Sequence, residues 1–396
     1  MDPVKNPYAP GAGTRPPELV GRDLLIEKVR IALRRTYEGR PAKGLMMIGL
    51  RGVGKTVLLD RLRADAESAG LHTIWIEAPE GRSLPALLAP DLRRALLRLS
   101  RSSRAKETVT RALRGLAGFA KGLKLKYGDI EVGIDFDPEP GLADNGDLEQ
   151  DLQDLFQAIG EAAKESGTAL ILFIDELQYV EESQLAALIT GLHRTAQRSL
   201  PVALVGAGLP QLRARMGHAK SYVERLFDFP EIGPLSPDEA TSALVNPARA
   251  EGVEFSRDAL SKIIEETEGY PYFLQEWGKH AWDVALDSPI ELTDVEAASR
   301  EAIAALDESF FRVRFDRLTP MEKKYLRAMA DLGPGPHRSG DIAEKLNRNV
   351  TSLGPTRAQL ISKGMIWSPG HGDTAFTVPL FDGFMRRIMP GKDWAT

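Results

Sequence analysis

The chain has 396 residues, 43% hydrophobic and 27% charged, which suits two or three domains with ordinary globular cores and excludes a disordered or fibrous chain. It contains no cysteine, so disulfides, thiolate metal sites, iron–sulfur clusters and cysteine nucleophiles are excluded together, and a reducing or redox-neutral cytoplasm is the expected home. The net charge of −5 hides an asymmetry: residues 310–396 hold 14 Lys and Arg against 8 Asp and Glu (+6), and the rest hold 37 against 48 (−11), so a small basic domain follows an acidic body.

Residues 1–18 carry five prolines, at 3, 7, 10, 16 and 17, and read as an arm rather than a helix. After Gly21-Arg22-Asp23, helical spacing of Leu24, Leu25, Val29, Ala32 and Leu33 predicts an amphipathic helix leading into a strand at 44–49. A glycine-rich turn follows, then a helix over 55–69 closed by Gly70, and a strand over 72–76 around Ile74, Trp75 and Ile76. Helical patterns run over 84–119. Leu123, Leu125 and Tyr127 then alternate with lysines, Gly128-Asp129 turns, and Ile130, Val132, Ile134 and Phe136 alternate in reply, which predicts a hairpin. Within this stretch residues 92–126 hold 11 basic residues against Glu107 alone, and an Asp-rich segment over 135–154 follows. The basic block suits a phosphate contact, a docked partner, or an internal cover for the acidic segment.

A helix over 148–165 leads to the apolar strand 169–174, and a helix over 183–197 to the strand 202–206. Strands separated by helices predict an α/β fold with a parallel sheet and a ligand at the strands' C-terminal ends. The longest apolar runs are far short of the roughly 20 residues of a membrane helix, and no signal-peptide pattern opens the chain. Beyond Pro234 the strands stop. Ser236-Pro237-Asp238-Glu239 starts a helix with a capping serine and proline at the first helical position, and helices over 256–268 and 271–286 complete a helical lid. The expected organisation is an arm (1–18), a core (19–233) with an insertion at about 92–136, a lid (234–309) and a C-terminal domain (310–396).

Gly49-Leu50-Arg51-Gly52-Val53-Gly54-Lys55-Thr56 satisfies G-x-x-x-x-G-K-[ST], after a strand and at a helix start, where a phosphate loop has to lie. Gly49, Arg51, Gly52, Val53, Gly54, Lys55, Thr56 and Val57 form the expected cradle: backbone N–H groups curl around the β-phosphate, and the helix end adds partial positive charge. Lys55 would reach the β- and γ-phosphates, and Thr56 would ligate Mg²⁺. The strand 169–174 runs into Asp175-Glu176. Asp175 suits the Mg²⁺ shell and Glu176 the attacking water, which favours ATP hydrolysis over transfer to a small acceptor. Arg225 is either a finger completing a neighbouring copy's site or a salt-bridge partner of Glu224 or Asp228.

On Val20-Gly21-Arg22-Asp23, the loop, Asp175-Glu176, Arg225 and Gly269-Tyr270-Pro271, the chain resembles an AAA+ P-loop ATPase of the branch containing the archaeal origin-recognition initiators and the STAND regulators, and is similar to bacterial AAA family ATPases, over nearly its whole length. The resemblance implies that Val20, Gly21 and Arg22 lie near the adenine and that Pro271 contacts the nucleotide. In the family a polar residue commonly ends the strand that here runs into Ala207-Gly208, which leaves Gln178 as a substitute sensor of the γ-phosphate. The initiators' lid usually supplies an arginine, whereas residues 271–282 offer only Lys279; this departure implies slow turnover or a switch.

In the C-terminal domain, Thr319-Pro320-Met321-Glu322 is a capping box opening a helix to Leu332, with Gly333 as its cap. Helices over 339–346 and 352–363 follow, then strands over 365–368 and 375–378 flanking Pro369-Gly370-His371-Gly372-Asp373. This order resembles a winged helix. Its third helix would present Arg348, Thr351, Ser352, Arg357, Gln359 and Lys363 to double-stranded DNA, with His371 at the wing tip. The expected function is therefore an ATP-binding, slowly hydrolysing switch acting on DNA. The alternative is a signalling or scaffold ATPase that recruits a protein effector, and a third reading is a transcription factor with a vestigial ATP site.

Overall fold

The computed structural model describes residues 1–11, 19–100, 105–127, 136–391 and Trp394. Backbone contacts divide it into two units, one of residues 23–48 and 58–231, the other of residues 1–22, 49–57 and 232–396.

The first unit holds the sheet. Its elements are α1 (Asp23–Tyr37), β1 (Gly44–Ile48), most of α2 (Lys55–Ser68), β2 (His72–Glu77), α3 (Leu84–Leu99), α4 (Lys106–Tyr127), α5 (Leu148–Glu165), β3 (Leu170–Asp175), α6 (Glu182–Gln197), β4 (Val202–Gly208), α7 (Gln211–Ala219), the single turn α8 (Val223–Leu226) and β5 (Phe227–Asp228). The strands are all parallel in the order β2-β3-β4-β1-β5. Every residue of β3 is buried, as expected of a central strand covered on both faces, where continuous rather than alternating apolar residues are stable. From β1 the chain crosses to the far edge at β2 and returns through β3 and β4, so the order reverses beside β1, the position at which open α/β sheets generally take their ligands. Register places Ile48 level with Gly208 and Ile174 level with Gly206.

The structure corrects the expected hairpin. Leu123 and Tyr127 lie in α4, a helix of 22 residues, because Val109, Ala112, Leu113, Leu116, Phe119 and Leu123 form one apolar stripe at helical spacing. The turn Gly128-Asp129 and all of the second limb, Ile130 to Phe136, but its last residue fall outside the described residues. The stripe joins the main core alongside Leu88, Leu92, Leu96 and Leu99 of α3. The helices of the basic block are thus a packed layer of the core. Gly115 and Gly118 leave room on α4 for Leu142, and Arg111 reaches Glu139 (3.4 Å) and Glu161 (3.5 Å), so part of the block's charge is spent on the acidic segment.

The second unit begins with the arm. A 3-10 turn, Pro3–Lys5, leads to Tyr8, buried against Gly278, whose missing side chain admits the ring. The region expected to be a lid holds α9 (Pro237–Ala250), α10 (Arg257–Thr267), α11 (Pro271–Val284) and α12 (Leu292–Leu306). The fourth of these was not predicted, although Val295, Ala298, Ala302 and Leu306 carry the helical period. A π-helical turn, Asp307–Phe311, continues α12 into α13 (Arg312–Asp316). The C-terminal domain follows as α14 (Pro320–Leu332), β6 (His337–Arg338), α15 (Ser339–Lys345), α16 (Val350–Ser362), β7 (Ile366–Trp367), β8 (Asp373–Phe376) and α17 (Phe381–Ile388). Its antiparallel sheet has the order β6-β8-β7, one strand more than the sequence suggests. The capping boxes at Ser236 and Thr319 both form, each satisfying helix N–H groups for about 1 kcal/mol.

Candidate functional site

β1 ends at Ile48 and the glycine-rich loop begins at its C-terminal end. Gly52 and Gly54 adopt φ of +79° and +87°, a left-handed backbone that glycine takes without strain and that turns successive N–H groups to one side. Gly49 has no room for a side chain: a Cβ would sit 2.2 Å from the Ile232 carbonyl oxygen. α2 then opens with Lys55 and Thr56, and its first turn holds no acidic residue, so the positive end of the helix is not neutralised from within. Lys55 is buried, and its ammonium donates to the carbonyls of Gly49 (3.0 Å) and Leu50 (2.7 Å). Glycines, oriented N–H groups, a helix end and a lysine form a donor set that fits a polyphosphate.

The loop is also bound from the C-terminal side. Tyr272, in the first turn of α11, donates its N–H to the Gly52 carbonyl (3.1 Å), and the Arg51 N–H donates to the carbonyl of Thr377, just after β8 (2.9 Å). Pro271 occupies the first position of α11, after Gly269, whose φ of +70° and approach to the Leu235 carbonyl exclude a side chain. Sequence reasoning missed Tyr272 and Thr377; only the position of Tyr272 beside Pro271 could have drawn attention to it. The Tyr272 ring stacks on Phe310 in the π-helical turn (4.7 Å between centroids), and Arg314 lies over Phe310. Phe310 meets Phe311, which stacks on Phe384 of α17. A continuous aromatic contact thus runs from the phosphate loop's neighbour into the C-terminal domain. Burial, with Glu276 beside it, holds the Tyr272 phenol well above its usual range, so it remains a donor to Glu276 Oε1 (2.9 Å).

Gly21 and Arg22 lie against the start of α9, and Val20 before them is half-buried. Arg22 donates to the Gly233 carbonyl (2.7 Å), and burial pulls its guanidinium below the ordinary value while Glu239 opposes the shift. Gly21, at φ +74°, faces the Glu239 carboxylate with no space for a Cβ.

At the end of β3, Asp175 is buried and accepts the Glu176 N–H on Oδ1 (2.8 Å). Glu176 sits at φ +54°, ψ +33°, a left-handed conformation that costs a non-glycine residue about 1–3 kcal/mol and persists only where surroundings impose it. Arg225 is exposed on α8. Asp228, one of its two sequence candidates for a salt bridge, pairs instead with Lys28 (2.8 Å) and Lys43 (3.5 Å).

The polar residues of α16 and its flanks divide. Arg348, Thr351, Ser352 and Gln359 are exposed. Arg357 bonds Thr374 Oγ1 (3.0 Å), Ser368 Oγ (2.9 Å) and the Asp373 carbonyl (2.9 Å), tying the helix to β8 and to the residue after β7. Lys363 bonds buried Glu322 (2.7 Å) and the Arg317 carbonyl. His371 is exposed between β7 and β8.

Residues 18–205 match the AAA ATPase domain. Residues 308–385, behind the ATPase domain, match a domain of unknown function, DUF8462. A curated relative, an uncharacterized HTH-type transcriptional regulator of Methanocaldococcus jannaschii, is 23% identical over 371 residues, covering 90% of this chain and 85% of its own. Among solved structures, a Walker-type ATPase of Pyrococcus abyssi superposes with a TM-score of 0.60 at 16% identity, covering 94% of this chain and 97% of its own. The Orc1 protein of Aeropyrum pernix, solved in complex with DNA, gives 0.49 at 15% identity, with 94% of each chain covered. The parallel sheet and the superposition on the Pyrococcus protein show the fold of a P-loop NTPase, with a helical C-terminal region beyond the residues that match the AAA ATPase domain. Among the described residues no helix is long and apolar enough to cross a membrane.

Proposed function

We propose that the chain binds and slowly hydrolyses ATP and that its nucleotide state sets the availability of a C-terminal winged helix for double-stranded DNA. The observation that carries this reading is the pair of hydrogen bonds on the phosphate loop: the Arg51 N–H on Thr377 of the C-terminal domain, and the Gly52 carbonyl on Tyr272 of the lid. A loop that cradles phosphate through its own N–H groups cannot change conformation without disturbing partners of adjacent groups on the same loop, so nucleotide and C-terminal domain act on one backbone.

In this reading the loop residues bind the phosphates, and Val20, Gly21, Arg22 and Pro271 form the base side. Lys55 stabilises charge on the transferring phosphoryl, and Glu176 orients water. Thr56 and Asp175 are the residues of their motifs with oxygen chemistry for Mg²⁺, which would neutralise phosphate charge. Arg225, exposed, suits a finger toward a second copy. For DNA, the charge of +6 over residues 310–396 and the name of the Methanocaldococcus relative support the reading. Arg348, Thr351, Ser352 and Gln359 form the groove-facing set, with Arg357 and Lys363 bracing it.

The deciding experiment is fluorescence anisotropy of a labelled duplex without nucleotide, with ADP and with a non-hydrolysable ATP analogue, for wild type and Lys55→Ala. Affinity that changes with nucleotide only in wild type supports the switch. Absence of binding at low salt in every state defeats it and favours the second reading, recruitment of a protein effector. One observation favours that alternative: Val350, Gly354, Pro355 and Ala358 give the exposed face of α16 an uncharged, partly apolar character.

A further inference from the structure

β4 ends in Gly206-Ala207-Gly208 and has no polar side chain there. The structure gives the reason. A Cβ on Gly206 would lie 2.4 Å from Leu177 Cδ1 and 2.7 Å from Met46 Sδ, and one on Gly208 would lie 2.7 Å from Leu212 Cδ2 and 2.8 Å from Gln178 Oε1. The strand is stripped of side chains because the 3-10 turn after β3, Leu177–Tyr179, packs onto it.

That turn brings Gln178, only 2% exposed, to the strand end. Its Oε1 accepts the Leu209 N–H (3.0 Å), and its Nε2 donates to Glu176 Oε2. The turn is clamped from α7: Arg215 Nη1 donates to the Gln178 carbonyl and Nη2 to the Val180 carbonyl, each at 2.6 Å. A planar amide carries acceptor and donors in fixed relation, so anchoring the acceptor on a main-chain N–H fixes where the donor points. Glutamate would set a second carboxylate against the first, and leucine would serve neither partner. Glu176 itself holds a left-handed backbone conformation, so an external bond that fixes its carboxylate has strain to work against.

We propose that Gln178 is a positioning residue for hydrolysis, its side-chain amide coupling the carboxylate of Glu176 to the C-terminal end of β4. A shift of the segment from Gly208 to Arg215 then turns the carboxylate, and the strand that lacks a polar sensor acts through a neighbour's amide. The proposal rests on the reading of Glu176 as the residue that orients water.

The test uses Gln178→Leu and Gln178→Glu in the full chain, with steady-state phosphate release and separate titration of a fluorescent ADP analogue. The expected result is a kcat lower by roughly 10- to 100-fold, the scale of a misplaced catalytic group, with KM and ADP affinity changed less than about 3-fold. An unchanged kcat overturns the proposal, and so does a parallel loss of kcat and ADP affinity, which would mark a structural role. A second readout is independent of turnover. In protein labelled with ¹⁵N-glutamine, the side-chain amide signals that disappear in Gln178→Leu are those of Gln178, and they should shift in Glu176→Gln. Signals that do not move overturn the contact. If wild type releases no phosphate above the Lys55→Ala background, the hydrolysis reading fails and the amide signals alone decide: moved signals keep the coupling, unmoved signals end it.

Discussion

The phosphate loop stands out in the sequence by its glycines and its lysine, helix α16 by its polar side chains, and the two behave differently in the structure. In the loop, Gly52 and Gly54 hold a left-handed backbone, Lys55 is buried, and the helix that follows starts free of acid. On α16 and its flanks, four of the six chosen polar residues are exposed, while Arg357 and Lys363 are committed to Thr374, Ser368, Asp373 and Glu322. The loop is built from backbone, whose conformation is fixed by residues adjacent in sequence. The surface of α16 is built from long side chains, whose direction depends on what tertiary structure places within reach.

Substitutions should make this contrast measurable. The largest effect is expected for Lys55→Ala, which should lower phosphate release by about 10²–10³-fold, the cost of removing one fixed charge-stabilising donor, while far-UV circular dichroism stays that of wild type. Next is Lys363→Met. It strands buried Glu322 and should destabilise the C-terminal domain by about 3 kcal/mol in urea titration, whereas an exposed DNA contact would change stability by less than about 0.5 kcal/mol.

The same pair predicts a pH dependence. Burial alone would raise the Glu322 carboxyl, but Lys363 and the Thr319 N–H outweigh it and hold it below its ordinary value. The ionised form is therefore favoured in the folded state. Its contribution is present above the ordinary carboxylate range and is lost as pH falls through the depressed value, so the wild-type domain should lose stability below about pH 4.5. Lys363→Met should lose this part of the acid sensitivity.

Phe310→Ala comes third. It removes the ring between Tyr272 and Phe311, and should shrink the nucleotide effect on duplex affinity by about 5-fold, within the usual range of coupling energies, with ADP affinity unchanged. The smallest effect is expected for Arg348→Ala: a reduction of about one in the slope of log affinity against log salt, with little loss of stability. A slope unchanged in Arg348→Ala but reduced in Arg357→Ala would reverse the assignment made here for α16.

What could be read in advance follows the same division. The parallel sheet, the loop and the two capping boxes depend on local spacing, and residues 44–56, 236–239 and 319–322 declared them. The hairpin failed because alternation at Leu123, Leu125 and Tyr127 competes with a longer helical stripe starting at Val109, and the longer period won through packing on α3 and α5. Tyr272 and Thr377 meet the loop across 220 and 326 residues, and no spacing within a short window encodes that; Gln178 stands out in the sequence, but its bond to the Leu209 N–H, 31 residues on, does not.

The π-helical turn Asp307–Phe311 also bears on how related chains can diverge. Such a turn amounts to one extra residue accommodated within an otherwise α-helical rod. Deleting a single residue between Asp307 and Phe311 would restore ordinary winding and leave the helix face that follows in phase, whereas the same deletion in the regular part of α12 would turn everything downstream by about 100° around the helix axis, since 3.6 residues complete a turn. In the second case the aromatic side chains that now meet Tyr272 and Phe384 would face other directions. A deletion of Asp307 or Glu308 should therefore be better tolerated than one in the middle of α12.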